Sequence, residues 1–182
     1  MIQKLPSHIS RFIRQNHVVS FAVYGANDFW AANCFYAFDS EQVRLIILTD
    51  KNTRHGLLMQ ENAHIVGTIA AQVETLTEIE GIQFSAYCTR LTDYTACQEA
   101  LDCYYARHPI ARLKSSDIWE IRLDMIKHTG NKLAFAKKTH LGKRKSLVFL
   151  RKQAVRFHSF FVKFFPNFTV CIGMINRRQV LP

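Results

Sequence analysis

Between His17 and Lys138 polar turns cut the chain into short segments rich in β-branched and aromatic residues, the pattern of half-buried strands. His17 to Tyr24 reads as the first strand, Gly25 to Asp28 as a turn, and Phe29 to Phe38 as the second strand. After Asp39-Ser40, Val43 to Leu48 is almost continuously apolar, as expected of a strand buried on both faces. Two hairpins in succession predict an antiparallel meander. His64 to Ala71 and Ile79 to Leu91 are further strands, with Gly81 marking a bulge. Ile118 to Lys127 sets Ile118, Glu120, Arg122 and Asp124 against Trp119, Ile121, Leu123 and Met125, a period of two. Gly130-Asn131 turns the chain into a last strand, Lys132 to Lys138.

Helical signals are few and short. Ser7 is placed to cap a helix over residues 7–16 whose Ile9, Phe12 and Ile13 share a face. Thr53 to Gln60 forms a second helix. Asp93 caps a third over residues 93–107, with Cys97, Leu101, Tyr104 and Tyr105 on one face. About seven strands and two or three short helices predict a mainly β protein, a β-barrel with helical decoration.

Charge divides the chain at Lys138. Residues 1–138 hold 15 Lys+Arg and 14 Asp+Glu, net +1, whereas residues 139–182 hold nine Lys+Arg and no acid. The overall +10 is therefore a property of the tail, and nucleic-acid binding by the whole protein loses its premise. Seven of the 14 Phe lie between Phe149 and Phe168. Residues 147–165 can be drawn as an amphipathic helix, Leu150, Ala154, Phe157, Phe161 and Phe164 opposing Lys152, Arg156, Ser159 and Lys163. That tail suits a membrane surface, a packing contact, or a non-native extension of the kind a shifted reading frame produces. Two domains are expected, 1–138 and 139–182. The five Cys form no Cys-x-x-Cys pair, which points to reduced thiols and a cytoplasmic protein. No apolar run is long enough to span a bilayer, and the scattered His predict no metal site.

The strongest local chemical signal is the strand–turn–helix of residues 43–60. Backbone N–H groups at a helix start, Thr hydroxyls and an Arg guanidinium together make a phosphate cradle. An ordinary capped helix, with Asn52 or Thr53 as cap and Arg54 solvated, uses the same residues. No Gly-x-Gly-x-x-Gly, Walker-type loop or nucleophile elbow is present.

Several short motifs occur in an order that resembles one family. They are Trp30-Ala31-Ala32-Asn33-Cys34-Phe35-Tyr36, Ile47-Leu48-Thr49, Thr53-Arg54-His55 and Gly67-Thr68-Ile69. Gly81-Ile82-Gln83-Phe84, Pro109-Ile110-Ala111-Arg112, and Trp119 to Asp124 with Ile126-Lys127 and Phe135 to Lys138 continue the series. Over roughly residues 8–138 the chain resembles the pyridoxamine 5′-phosphate oxidase-like split barrels, and within them a subgroup of small uncharacterised bacterial proteins.

The resemblance implies an FMN-binding split β-barrel that forms a homodimer with the flavin between subunits. It places the flavin phosphate at Thr49, Thr53 and Arg54, with His55 where Lys is commoner. Ala32, Asn33 and Cys34 fall along the strand that passes the isoalloxazine, Gln83 at a flavin-touching position, and Lys137 or Lys138 at a late basic position. Tyr36 stands where the oxidases grip substrate phosphate with a basic residue, and their C-terminal substrate segment is missing. Oxidation of pyridoxamine phosphate is therefore not expected. The implied function is FMN-dependent oxidoreduction of an unknown small molecule. A non-catalytic flavin-binding module and a cofactor-free interaction protein are the alternatives. No catalytic acid or base is named, since in flavin chemistry the cofactor carries the electrons.

Overall fold

The computed structural model describes residues 5–130 and the backbone of 137–142. The expected tail helix over 147–165 lies outside the described residues, as do the site roles proposed for the side chains of Lys137 and Lys138. The chain divides into Met1–Lys143 and Arg144–Pro182, and only the first unit is described below.

Among the described residues there are seven strands, the first six close to the expected segments. They are β1 (Val18–Tyr24), β2 (Phe29–Asp39), β3 (Arg44–Leu48), β4 (His64–Ala70), β5 (Glu80–Arg90), β6 (Ile118–Gly130) and β7 (Lys137–Gly142). The described residues also form three helices, α1 (Ser7–Gln15), α2 (Arg54–Glu61) and α3 (Tyr94–Arg107), and two short 3₁₀ turns, Leu76–Glu78 between β4 and β5 and Pro109–Leu113 between α3 and β6. Every pairing is antiparallel, in the order β3-β2-β1-β4-β5-β6-β7, and β3 also pairs with β6. That extra pairing closes β1 to β6 into a six-stranded barrel. The far edge of β6 is shared: Ile118 to Arg122 meets β3, and Met125 to Gly130 meets β7.

Alternation determines which side chains fill the barrel. On β1, Val19, Phe21 and Val23 point inward and are buried, while Val18, Ser20, Ala22 and Tyr24 point outward. Ile65 and Ile69 of β4 and Ile82, Phe84, Ala86 and Cys88 of β5 join the same core. Each fully buried Ile or Phe contributes roughly 1.5–3 kcal/mol. α1 closes the core with Ile9, Phe12 and Ile13, and α2 adds Leu58 and Met59. β3 is buried on both faces as expected. Leu45 and Ile47 enter the barrel, and Ile46 packs with Ala37, Ala100, Tyr104 and Ile118 beneath α3.

Four expectations are corrected. Ser7 is not the cap of α1. Pro6 holds that position without a side-chain hydrogen bond, and its carbonyl accepts from Ile9 and Ser10 N–H. Gly81 pairs regularly with Ala70. The irregularity falls between Ser85 and Ala86, which pair with Met125 and Leu123 and leave Asp124 as the extra residue of β6. The simple alternation of β6 therefore fails. Ile118, Trp119, Glu120 and Ile121 are all buried because α3 and the Arg44 side chain cover the second face. Beyond the bulge the buried phase moves to Ile126 and His128. The last strand also runs past Lys138, to Gly142.

Candidate functional site

Cross-strand register arranges the outward positions into rows. Asn33 of β2 stands opposite Ser20 of β1, Ser20 opposite Thr68 of β4, Thr68 opposite Gln83 of β5, and Gln83 opposite Lys127 of β6. Because paired residues share a face, these five polar side chains form one line across the outside of the barrel. The next row is small or apolar: Ala31, Ala22, Val66, Ser85 and Met125. Apart from Asn33, the two rows line an open groove of about 650 Å³. An apolar floor with a few aligned polar groups at its edge is how cofactor pockets are commonly built. Gly67 lies beneath it on the inner face, where an added Cβ would come within 2.5 Å of the Phe84 ring and 2.7 Å of the Ser20 carbonyl. Its missing side chain lets Phe84 fill the barrel directly under the groove.

The turn before α2 is a separate cluster. Of the two cap candidates, Asn52 and Thr53, it is Thr53 that caps α2, its Oγ1 accepting from Gly56 N–H at 3.1 Å and donating to the Asp50 carbonyl at 2.8 Å. His55 Nε2 lies 2.7 Å from Thr49 Oγ1 and 3.2 Å from Thr53 Oγ1. Burial lowers the His55 pKa, so the ring is neutral at pH 7. Gly56 fits tightly here, since a Cβ would lie 2.6 Å from the Asp50 carbonyl oxygen. Arg54 turns away from the two threonines. Its Nε and Nη2 donate to the Asp28 carboxylate at 2.9 and 2.6 Å, and its guanidinium lies 4.1 Å from the centroid of the Trp30 ring. The hydrogen bond from Arg54 holds the Asp28 carboxyl below its ordinary range.

Thr49, Thr53 and His55 are thus brought together, while Arg54 stands on the Asp28 side of the same turn. Gln83 lines the outer groove, and Asn33 continues its polar row. Ala32 and Cys34 face the other way, half-buried against the core. Burial pushes the Cys34 thiol up to about 11, so it is protonated at neutral pH. Tyr36 is inside the barrel, where its hydroxyl donates to the Ile13 carbonyl at 2.6 Å. Lys127 and Ser20 line the groove although the sequence did not mark either as a site residue. Their signal is the line they make with Gln83, and that line requires the register of five strands.

Among the described residues no group of three or more His, Cys, Asp or Glu is placed to hold a metal ion. None of their helices is long and apolar enough to cross a membrane. Cys34, Cys88, Cys97 and Cys103 are free thiols.

Several solved structures share the architecture at low identity. The heme binding protein of Mycobacterium smegmatis superposes with a TM-score of 0.61 at 13% identity, over 76% of this chain and 59% of that one. An FAD-binding protein of Mesorhizobium loti gives 0.58 at 10% identity, over 70% and 95%. The heme storage protein HutZ of Vibrio cholerae gives 0.51 at 12%, over 67% and 92%. The fold is the split barrel that the motif order implied. No family model matches the chain. It is 56% identical over 139 residues to a UPF0306 protein of Haemophilus ducreyi, which covers 76% of this chain and 95% of the relative. A Yersinia enterocolitica UPF0306 protein is 43% identical over 138 residues, 76% of this chain and 93% of that relative. At that identity and coverage, the chain belongs to the UPF0306 family of bacterial split-barrel proteins.

Proposed function

We propose that this protein binds FMN on the outer face of its barrel and uses it to oxidise or reduce a small molecule. The observation that carries the reading is the groove itself: a small-residue floor beside the polar line Ser20-Thr68-Gln83-Lys127. A flat conjugated ring is apolar on its faces and carries donors and acceptors at its edge, which is the complement of that surface. Neighbours of this fold described as binding heme or FAD support a cofactor-binding module. The choice of FMN rests on the resemblance of the motifs.

In this reading Gln83 and Lys127 hold the ring edge, and Thr49, Thr53 and Arg54 hold the phosphate. The Thr53 hydroxyl already donates to the Asp50 carbonyl and accepts from Gly56 N–H, so it reaches a phosphate only by releasing that carbonyl, while Thr49 is engaged with the His55 ring. Arg54 must exchange the Asp28 carboxylate for phosphate oxygens, a swap of one anion for another on the same guanidinium fork. The bound flavin supplies the electron or hydride carrier, while the protein orients it and limits water. Pyridoxamine phosphate is not the proposed substrate, because Tyr36 is sealed in the core.

A homodimer belongs to the same proposal. Val66 and Met125 stand exposed beside the groove, and a second copy laid over this face covers both them and the ring. Sedimentation of the purified chain at twice the monomer mass is the expected result. The cofactor is tested by the visible spectrum. Flavin bands, present on purification or after FMN is added and excess removed, support the reading. A colourless protein that takes up no FMN overturns it, and a Soret band without flavin bands replaces FMN with heme.

A further inference from the structure

We propose that a second pocket, at the hairpin end of the same outer face, binds a small organic cation of the alkylammonium class. The pocket measures about 330 Å³ and is lined by Tyr24, Phe29, His64, Tyr87 and Asp124. It shares Ala22, Val66 and Ser85 with the larger groove, so the two adjoin.

Register pairs its aromatic walls. Tyr24 stands opposite Phe29 across the β1–β2 hairpin, and His64 opposite Tyr87, with ring centroids 4.2 Å apart. Elsewhere on this face of β1, β4 and β5 no side chain is aromatic. Here Phe29, Tyr24 and Tyr87 remain 81%, 55% and 42% exposed. Rings that contribute so little to the core are free to take up a ligand, and a cation is drawn to their π faces.

The carboxylate comes from the β-bulge. Asp124 is the residue without a partner on β5, and its carboxylate makes no hydrogen bond or ion pair among the described residues. Its neighbours on β6 are engaged: Glu120 accepts from Arg44 at 2.9 Å and from Arg122 at 2.8 Å. Among the pocket's lining residues Asp124 is the only Asp, Glu, Lys or Arg. Aromatic faces on two sides with a single carboxylate attract a soft, weakly hydrated cation and give a neutral molecule of the same shape no equal attraction. The volume lies at the lower end of ligand pockets, about 300–1,000 Å³, and suits a small amine rather than a peptide.

The site rests on the FMN reading only for the claim that its occupant, lying beside the ring, is the substrate; binding itself needs no flavin. Choline is the probe, and 3,3-dimethylbutan-1-ol, the same shape without charge, is its control. Titration of the full chain, followed by amide NMR, should give saturable shifts at His64, Tyr87 and Asp124. Choline should bind at least about tenfold tighter than the alcohol. Asp124→Asn should weaken choline about fivefold and Tyr87→Leu about three- to fivefold, both variants retaining the wild-type spectrum elsewhere. Equal binding of the two probes, shifts that do not saturate, or choline affinity unchanged in both variants overturns the site. FMN uptake, read from the visible spectrum of the same samples, reports on the flavin separately.

Discussion

The β3–β6 seam and the outer face of β1, β4 and β5 belong to one barrel but obey opposite rules. At the seam both faces of the sheet are covered, and even charge is buried. Arg44 is 4% exposed and Glu120 5%, and Arg44 donates to Asp39 and Glu120 at 2.9 Å each. On the outer face Ser20, Thr68 and Gln83 stand in solvent and hold nothing together. Side chains enclosed on every side are dictated by the fold. Those on a free face are open to selection for a ligand. Substitutions at the seam should therefore cost stability, and those on the face should cost binding.

The largest effect is expected at Glu120. Its carboxylate neutralises Arg44 inside the seam and binds Arg122 with its other oxygen. Glu120→Ala leaves Arg44 with only Asp39, and urea unfolding should show a loss of about 3–5 kcal/mol. A loss below about 1 kcal/mol, the range of exposed pairs, would erase the distinction between the seam and the surface.

The turn before α2 lies between the two extremes. Thr53→Ala removes the cap and should cost about 1 kcal/mol. His55 adds a pH dependence. Burial lowers its folded pKa from the ordinary 6.5, so the unfolded chain takes up the proton first as pH falls. The contribution is complete above that ordinary value and is lost as pH drops through the lowered one. Unfolding curves of His55→Gln should decline less steeply than wild type as pH falls from neutral through the ordinary histidine value and below it. Parallel declines would assign the acid lability to other groups.

Much of the inner half of the barrel was legible because it is local. Val19, Phe21 and Val23 alternate within β1, and Thr53 and Asp93 cap helices that begin one residue later. What the sequence did not disclose depends on partners far along the chain. Glu120 looks like a solvent-facing residue until Arg44, 76 positions earlier, is placed beside it. The bulge at Asp124 reverses the pattern of β6, and nothing local announces it. Arg54 reads as a free guanidinium until Asp28, 26 positions away, is found on it. The line through Gln83 and Lys127 exists only once five strands have been registered.

Asp28 sharpens the contrast, because both partners of its ion pair are exposed and stability should hardly register the change. Asp28→Asn frees the Arg54 guanidinium. If Arg54 serves the phosphate, this variant binds FMN several-fold more tightly, whereas Arg54→Ala binds it about tenfold more weakly. Equilibrium titration of FMN fluorescence measures both. Two unchanged affinities would move the phosphate away from this turn.

Gln83→Ala should have the smallest effect on the fold. The side chain is exposed on the polar line, so its unfolding free energy should shift by no more than about 0.5 kcal/mol. FMN affinity should nevertheless fall about three- to tenfold, the worth of a hydrogen bond to the ring edge. That dissociation of binding from stability is what a free face permits and a closed seam does not. A Gln83 variant that loses both together would mean that the outer line supports the barrel, and the groove would then be a by-product of packing.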